Sequence, residues 1–133
     1  MAPVTTQQQM SPRILVVEDH EDSREMLREL LELLGATTLV ANSVNQALEL
    51  VDEGLQIVLS DIGLPDVDGY ELARRLQSHP KRSSMRLVAM TGYTRETERA
   101  CAIEAGFDDV LTKPLAPGAL EALVRSSSDV SSQ

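Results

Sequence analysis

Short apolar runs alternate with amphipathic stretches along most of this 133-residue chain. The first run, Ile-Leu-Val-Val at 14–17, is continuous, which is typical of a strand covered on both faces. In the next segment the apolar residues recur every three or four positions, as on one face of a helix; they are Met26, Leu27, Leu30, Leu31 and Leu34. The pattern predicts a strand and then a helix, with Asp22 and Glu25 as a capping box and Gly35 as the stop.

The same alternation continues to the end of the patterned region. Further strands are predicted at 37–41, 55–60, 87–90 and 109–112. Further helices are predicted from Ser43 to before Gly54, from Asp68 to before Pro80, over Thr94 to Ala105 with Gly106 as the stop, and from Pro117 onward. Such alternation indicates a parallel sheet with helices on both faces. We therefore predict one α/β domain with a doubly wound, five-stranded, flavodoxin-like (βα)5 sheet and strand order 2-1-3-4-5.

The two ends of the chain differ in composition from the patterned middle. Residues 1–11 are rich in Gln, Thr and Pro, and residues 126–133 are mainly Ser. Neither end has enough apolar surface to offset the entropy lost on ordering. We therefore predict disordered tails at 1–11 and 126–133 on either side of a single domain over 12–125.

Composition narrows the possible functions. The formal net charge of −9 argues against nucleic acid as a direct partner, because phosphate contacts need clustered Lys and Arg. No apolar run approaches the roughly 20 residues needed to cross a bilayer, and the start lacks the basic and apolar regions of a secretory signal. We expect a cytoplasmic protein without a membrane or nucleic-acid partner. The single cysteine, Cys101, allows no internal disulfide.

Polar side chains follow four of the predicted strands. Glu18 and Asp19 follow the first strand, Asp61 the third, Thr91 the fourth and Lys113 the fifth. In doubly wound sheets, ligands bind beyond the carboxyl ends of the strands, so these five side chains should converge. Each residue alone has an ordinary interpretation as a helix cap, a turn residue or a surface lysine. Their joint occurrence, in order, at the ends of different strands favours a functional site.

The charges of this constellation suggest its chemistry. Three carboxylates in one crevice repel one another, and a hard divalent cation such as Mg²⁺, which prefers oxygen ligands, would relieve the repulsion. A phosphoryl group on Asp61 would meet that cation on one side and the Lys113 ammonium on the other. These two cations would stabilise the charge on the phosphoryl oxygens during an in-line transfer.

Four stretches of the sequence resemble the receiver domains of two-component response regulators; they are residues 14–19, 60–70, 90–92 and 111–114. The resemblance implies that Asp61 is the phosphoacceptor, and that Glu18, Asp19 and Asp61 bind Mg²⁺ with the main-chain carbonyl of Gly63. It implies that Thr91 and Lys113 contact the phosphoryl oxygens, and that the Lys113-Pro114 bond is cis.

The same resemblance implies partners and a mode of action. The donor would be a histidine kinase or a histidine phosphotransfer protein, and the downstream protein target would bind the face made by the fourth helix, fifth strand and fifth helix. We expect a signalling switch rather than an enzyme, with a weak dimer compatible with that role. Two alternatives stay open: a receiver module excised from a hybrid histidine kinase, and a phosphorylation-independent pseudo-receiver that only binds partners.

Three further positions, Gly63, Val110 and His20, affect the functional interpretation. A phosphatase of the haloacid-dehalogenase type would need a second aspartate two residues after the nucleophile, where this chain has Gly63. Val110 stands three positions before Lys113, where most receiver domains carry an aromatic residue. Valine is too short and too stiff to swing between an exposed and a buried pose, so we expect the usual threonine–aromatic relay to be incomplete. His20 is predicted to be a loop side chain near the pocket mouth.

Overall fold

The fold is known from a computed structural model that describes residues 11–52, 54–62, 69–92 and 96–131. Within these ranges the strands are β1 (Arg13–Val17), β2 (Thr37–Ala41), β3 (Ile57–Asp61), β4 (Arg86–Thr91) and β5 (Asp109–Thr112). The α-helices are α1 (Glu21–Leu33), α2 (Val44–Leu50), α3 (Gly69–Leu76), α4 (Glu96–Ala105) and α5 (Pro117–Ser131). A short 3₁₀ helix, Arg82–Ser84, precedes β4. The alternation of strands and helices agrees with the sequence pattern.

All strand pairs of the sheet are parallel, and the strand order is β2-β1-β3-β4-β5. This confirms the predicted doubly wound, flavodoxin-like (βα)5 fold. In such a sheet every carboxyl end points to the same edge, so the last residues of β1, β3, β4 and β5 lie along one edge.

The apolar residues of β1 divide between two cores because successive side chains of a strand point to opposite faces. Leu15 and Val17 pack in the core under α2, α3 and α4, whereas Ile14 and Val16 pack in the core under α1 and α5. All four side chains are fully buried. Burial of each contributes about 1.5–3 kcal/mol, which explains why the strand is a continuous apolar run.

The start of α1 corrects one prediction. The N-cap is His20, whose Nδ1 accepts a hydrogen bond from the backbone N–H of Ser23 at 3.4 Å, so the proposed capping box of Asp22 and Glu25 is wrong. Asp22 lies in the first turn, where a carboxylate still complements the helix dipole, and Glu25 pairs with Arg28. His20, predicted to be a loop side chain, is exposed in the turn between β1 and α1 and caps the helix.

The other helix signals agree better with the structure. Ser43 caps α2, and its hydroxyl accepts a hydrogen bond from the N–H of Gln46 at 3.1 Å. Gly35 and Gly106 follow α1 and α4 with φ of 104° and 126°, a backbone conformation that glycine adopts without steric cost. Both stops were predicted from the sequence.

The last helix differs from the predicted domain boundary. The backbone of α5 is helical to Ser131, although the sequence predicted a disordered tail from residue 126. An established helix gains one hydrogen bond for each residue added, and serine costs only a few tenths of a kcal/mol relative to good helix formers. Residues 1–10 of the other predicted tail, and the predicted helix starts at Asp68 and Thr94, lie outside the described residues.

The described helices include none that is both long and apolar enough to span a bilayer. The cytoplasmic location expected from the sequence stays a prediction.

Candidate functional site

The carboxyl edge of the sheet brings together the residues that the sequence singled out. Glu18 directly follows β1, Asp61 ends β3 and Thr91 ends β4. Thr91 is paired in register with Thr112, so Lys113 leaves β5 beside the end of β4. Four side chains distant in the sequence thus reach one small region of the surface.

Lys113 links two of the carboxylates at the centre of the site. Its Nζ lies 2.8 Å from Oδ2 of Asp61 and 3.0 Å from Oε1 of Glu18. The Glu18 side chain is 2% exposed, the Asp61 side chain 14% and the Lys113 side chain 34%. The ammonium group therefore reaches in from the solvent side to two charges that are largely shielded from water.

Glu18 is held at both its backbone and its side chain. Its N–H donates to the carbonyl of Ala41 at 3.0 Å, and its Oε2 accepts from the N–H of His20 at 3.1 Å. Its carbonyl accepts from Nη1 of Arg24 at 3.1 Å. The carboxylate of Glu18 is therefore fixed in one orientation, with Lys113 on one oxygen and the backbone on the other.

Burial and charge act against each other at this site. Burial raises the pKa of Glu18, and the hydrogen bonds from Lys113 and from the His20 N–H oppose that rise. For Lys113, burial alone would lower the pKa, but hydrogen bonds to Asp61 and Glu18 raise it above the ordinary value. Lys113 is therefore a full cation at neutral pH.

Three carboxylates of the site lie close enough to share a cation. One oxygen each of Glu18, Asp19 and Asp61 lies within 4.8 Å of the others. Their exposure increases from buried Glu18 to exposed Asp19, so the cluster faces solvent on one side. Oxygen donors with access to several waters suit Mg²⁺, which rarely gives up its whole hydration shell. The donor set therefore fits the predicted metal.

Thr91 and Lys113 are tied through the backbone. Thr91 is 8% exposed, and its carbonyl accepts a hydrogen bond of 2.7 Å from the N–H of Lys113. The Lys113-Pro114 bond is cis, as the resemblance implied. Gly63, the predicted carbonyl ligand, lies outside the described residues.

Two supporting residues were missed by the sequence analysis. Ser60 is fully buried, and its hydroxyl donates to the carbonyl of Asp61 at 3.1 Å. A serine inside an apolar strand was the available signal for that contact. Arg24 holds the carbonyl of Glu18, yet a single arginine on a helix carries no sequence signal of such a role.

Val110 occupies a buried place in this structure. It is 6% exposed and packs in the same core as Phe107, which is 2% exposed. The position that is aromatic in most receiver domains is therefore filled by a small side chain already turned inward.

An apolar cleft of about 460 Å³ opens beside the site, between α1 and the segment that runs from β5 into α5. Glu18 and Lys113 lie in its wall, and its apolar lining includes Met26, Leu30 and Leu120. Met26 is 58% exposed and Leu30 is 38% exposed. The acidic cluster is thus bordered by an accessible apolar surface.

Comparison with known sequences gives a consistent result. Residues 14–125 match the family profile described as the response regulator receiver domain. An uncharacterized 14.6 kDa protein of Leptolyngbya boryana is 42% identical over 113 residues, covering 84% of this chain and 86% of that protein. The transcriptional regulatory protein GltR of Pseudomonas aeruginosa is 32% identical over 114 residues, and the match covers 85% of this chain and 47% of GltR. The chain thus spans about half of that longer relative.

Solved structures agree with the sequence matches. A response regulator structure from Chloroflexus aurantiacus has a TM-score of 0.81 and 28% identity, with 90% of this chain and 98% of that chain covered. The receiver domain of Ssk1 from Saccharomyces cerevisiae, in a co-crystal with the histidine phosphotransfer protein Ypd1, has a TM-score of 0.84 at 22% identity, with 92% of each chain covered. The second comparison supports the fold alone.

Proposed function

The chain belongs to the family of response regulator receiver domains, and on that premise we propose that Asp61 accepts the phosphoryl group, with Glu18, Asp19 and Asp61 binding Mg²⁺ beside it. The observation that carries the proposal is the position of Lys113 Nζ, within hydrogen-bond distance of both Asp61 and Glu18. With Mg²⁺ on one side of an incoming phosphoryl group, the Lys113 ammonium would stabilise the negative charge on the other side.

The transfer step follows from these positions. An Oδ oxygen of Asp61 attacks phosphorus in line with the leaving group, forming an acyl phosphate while the bond from phosphorus to the donor breaks. The electron pair of that bond leaves with the donor, either an imidazole nitrogen or the acetate of acetyl phosphate. Mg²⁺ bound by the three carboxylates, with the Gly63 carbonyl as a further ligand, would neutralise charge on the phosphoryl oxygens.

Lys113 and Thr91 complete the binding of the phosphoryl group in this proposal. The Lys113 ammonium exchanges its contact with Asp61 for one with a phosphoryl oxygen, and this exchange keeps its charge paired. The Thr91 hydroxyl donates to another phosphoryl oxygen from the end of β4. The protein acts as a switch in this scheme, and any catalysis is limited to its own phosphorylation and dephosphorylation.

A histidine kinase or a histidine phosphotransfer protein is the proposed donor. Support comes from the co-crystal of the structurally similar Ssk1 receiver domain with Ypd1. The apolar cleft beside Lys113, with Met26 and Leu30 exposed, offers a surface on which a donor can seat its histidine near Asp61. The downstream target is proposed to bind the face of α4, β5 and α5.

Neither of the two alternatives from the sequence is favoured over this proposal. A pseudo-receiver without phosphorylation is disfavoured because the acidic cluster and Lys113 form one connected site. Whether the domain acts alone or within a longer kinase concerns the whole protein, and either context uses the same proposed chemistry.

Incubation with acetyl phosphate and Mg²⁺, followed by intact-mass measurement, tests the proposal. We expect wild type to gain one phosphoryl group, and Asp61→Asn to gain none. Asp109→Asn is the matched control, because Asp109 lies on β5 and pairs with Arg86 and Arg99 away from the cluster. Equal labelling of wild type and Asp61→Asn, or no labelling of either, would contradict the proposal.

A further inference from the structure

Arg24 contacts the loop that carries two of the proposed metal ligands. Its Nη1 donates to the main-chain carbonyl of Glu18 at 3.1 Å, and its own backbone N–H donates to the carbonyl of His20 at 2.9 Å. A side chain in the first turns of α1 is thereby bound to the residue at which the chain leaves β1. Arg24 thus spans the whole turn between the strand and the helix.

The carbonyl of Glu18 belongs to the peptide group that joins Glu18 to Asp19. Because a peptide group is planar, fixing the direction of its carbonyl also fixes where the Cα of Asp19 lies. The Glu18 carboxylate has further anchors in Lys113 and the His20 N–H. In contrast, within the described part of the chain no residue forms a hydrogen bond or ion pair with the exposed Asp19 carboxylate. The orientation of the Asp19 carboxylate therefore depends on the backbone, and Arg24 holds that backbone through the Glu18 carbonyl.

We propose that Arg24 is a positioning residue for the metal site: its guanidinium fixes the Glu18–Asp19 peptide so that the Asp19 carboxylate points toward the cation. The proposal rests on the proposed function, since it takes Glu18, Asp19 and Asp61 as the Mg²⁺ site. Groups that orient metal ligands contribute about 10–100-fold to metal affinity.

The charge of Arg24 makes the proposal sharply testable. A cation near the site repels Mg²⁺, so removing its charge, considered alone, should tighten Mg²⁺ binding. Removing the hydrogen bond that orients Asp19 should weaken Mg²⁺ binding. The two effects of Arg24→Gln have opposite signs, and the proposal requires the loss of orientation to dominate.

Titration calorimetry with MgCl₂ on wild type, Arg24→Gln and Arg24→Lys measures the effect. We expect Arg24→Gln to bind Mg²⁺ about 10-fold more weakly, and Arg24→Lys, which keeps a donor and the charge, to recover part of the loss. Arg28→Gln is the matched control, because Arg28 lies one turn later on α1 and pairs with Glu25 and Glu32. The Mg²⁺ affinity of Arg28→Gln should stay within about twofold of wild type, or rise slightly because one positive charge is lost.

The possible outcomes separate this proposal from the proposed function. Absence of Mg²⁺ binding by wild type would overturn the metal site itself. Wild-type binding with unchanged or tighter binding in Arg24→Gln would overturn the role of Arg24 alone. Urea unfolding without Mg²⁺ distinguishes orientation from loss of fold. Similar unfolding midpoints with weaker binding support the proposal, whereas a fall in affinity that only follows a loss of folded protein contradicts it.

Discussion

Replacing Lys113 by methionine should destabilise the folded protein in the absence of Mg²⁺. Lys113→Met keeps most of the alkyl chain and removes the ammonium, so the change falls mainly on the contacts with Asp61 and Glu18. Glu18 would keep the hydrogen bond from the His20 N–H but lose the only ion pair that it forms within the described residues. The variant therefore leaves a negative charge, 2% exposed, without that cation.

The loss of folding free energy in Lys113→Met can be estimated from the distances between Lys113 and its two carboxylates and from the burial of these side chains. At about 3 Å and an effective dielectric constant of about 20, each ion pair has a gross attraction of roughly 5–6 kcal/mol. Breaking a buried pair by removing one partner costs about 3–5 kcal/mol. Since the Lys113 side chain is 34% exposed, water screens part of the attraction, and we expect a net loss of about 2–3 kcal/mol.

The loss should depend on pH in a defined direction. The pKa of Lys113 is raised in the folded state, so its stabilising contribution is complete below its unfolded pKa and is lost only as the pH rises through the folded value. The pKa of Glu18 is raised by burial and should rise further without Lys113. A carboxyl with a raised pKa favours folding at low pH, so the deficit of Lys113→Met should be larger at neutral pH than near pH 4.5.

Mg²⁺ should restore part of this stability, because it would neutralise the same carboxylates. A ligand that binds only the folded state at ten times its Kd adds about 1.4 kcal/mol. Lys113→Met lacks the competing ammonium, so its gain should exceed that of wild type. Urea unfolding in EDTA measures the loss of stability, and urea unfolding in MgCl₂ measures the gain from the cation. Arg125→Ala is the control for loss of one positive charge, because the Arg125 side chain is 68% exposed. Equal midpoints of wild type and Lys113→Met in EDTA, or equal gains with MgCl₂, would refute the reasoning.

Three further predictions concern separate parts of the molecule. Asp19→Ala should weaken Mg²⁺ binding about tenfold or more, equivalent to ~1.4 kcal/mol, and unchanged affinity by calorimetry would remove Asp19 from the ligand set. Leu120→Ala should cost about 2–5 kcal/mol in urea unfolding, because Leu120 is 1% exposed in the core under α1 and α5; a loss below 1 kcal/mol would contradict that packing. With Val110 in the usual aromatic position, beryllofluoride and Mg²⁺ should shift amide resonances near Thr91 more than along α5, and equal shifts along α5 would show another route for the signal.

The fold could be predicted because its signals are local and repeated. A continuous apolar run such as 14–17 is required when both faces of a strand are covered, and the structure buries all four residues of that run. Gly35 and Gly106 were recognisable stops because a helix often ends at a glycine, and the structure shows positive φ at both. The site followed from the fold, since a parallel sheet brings Glu18, Asp61 and Lys113 to one edge whatever their distance in the sequence.

What the sequence could not provide depends on side-chain geometry. Asp22 and Glu25 match a capping box in spacing, but His20 is the N-cap because α1 begins at Glu21, two residues earlier than that spacing assumed. A disordered tail was predicted from residue 126, whereas the backbone of α5 is helical to Ser131, since composition alone does not include the gain from extending a formed helix. Ser60 gave one signal, a serine inside an apolar strand, but the partners of Ser60 and Arg24 depend on where two carbonyl groups point, which the sequence does not specify.

The most direct test of the central claim is to locate the acyl phosphate in the chain. Wild type treated with acetyl phosphate and Mg²⁺ can be reduced with borohydride, which converts an acyl phosphate to the alcohol, and then digested and analysed by mass spectrometry. Reduction is expected at Asp61 when Mg²⁺ is present, and neither Asp19 nor Asp61 should be modified when EDTA replaces Mg²⁺. Reduction at Asp19 or at Glu18, with Asp61 intact, would contradict it.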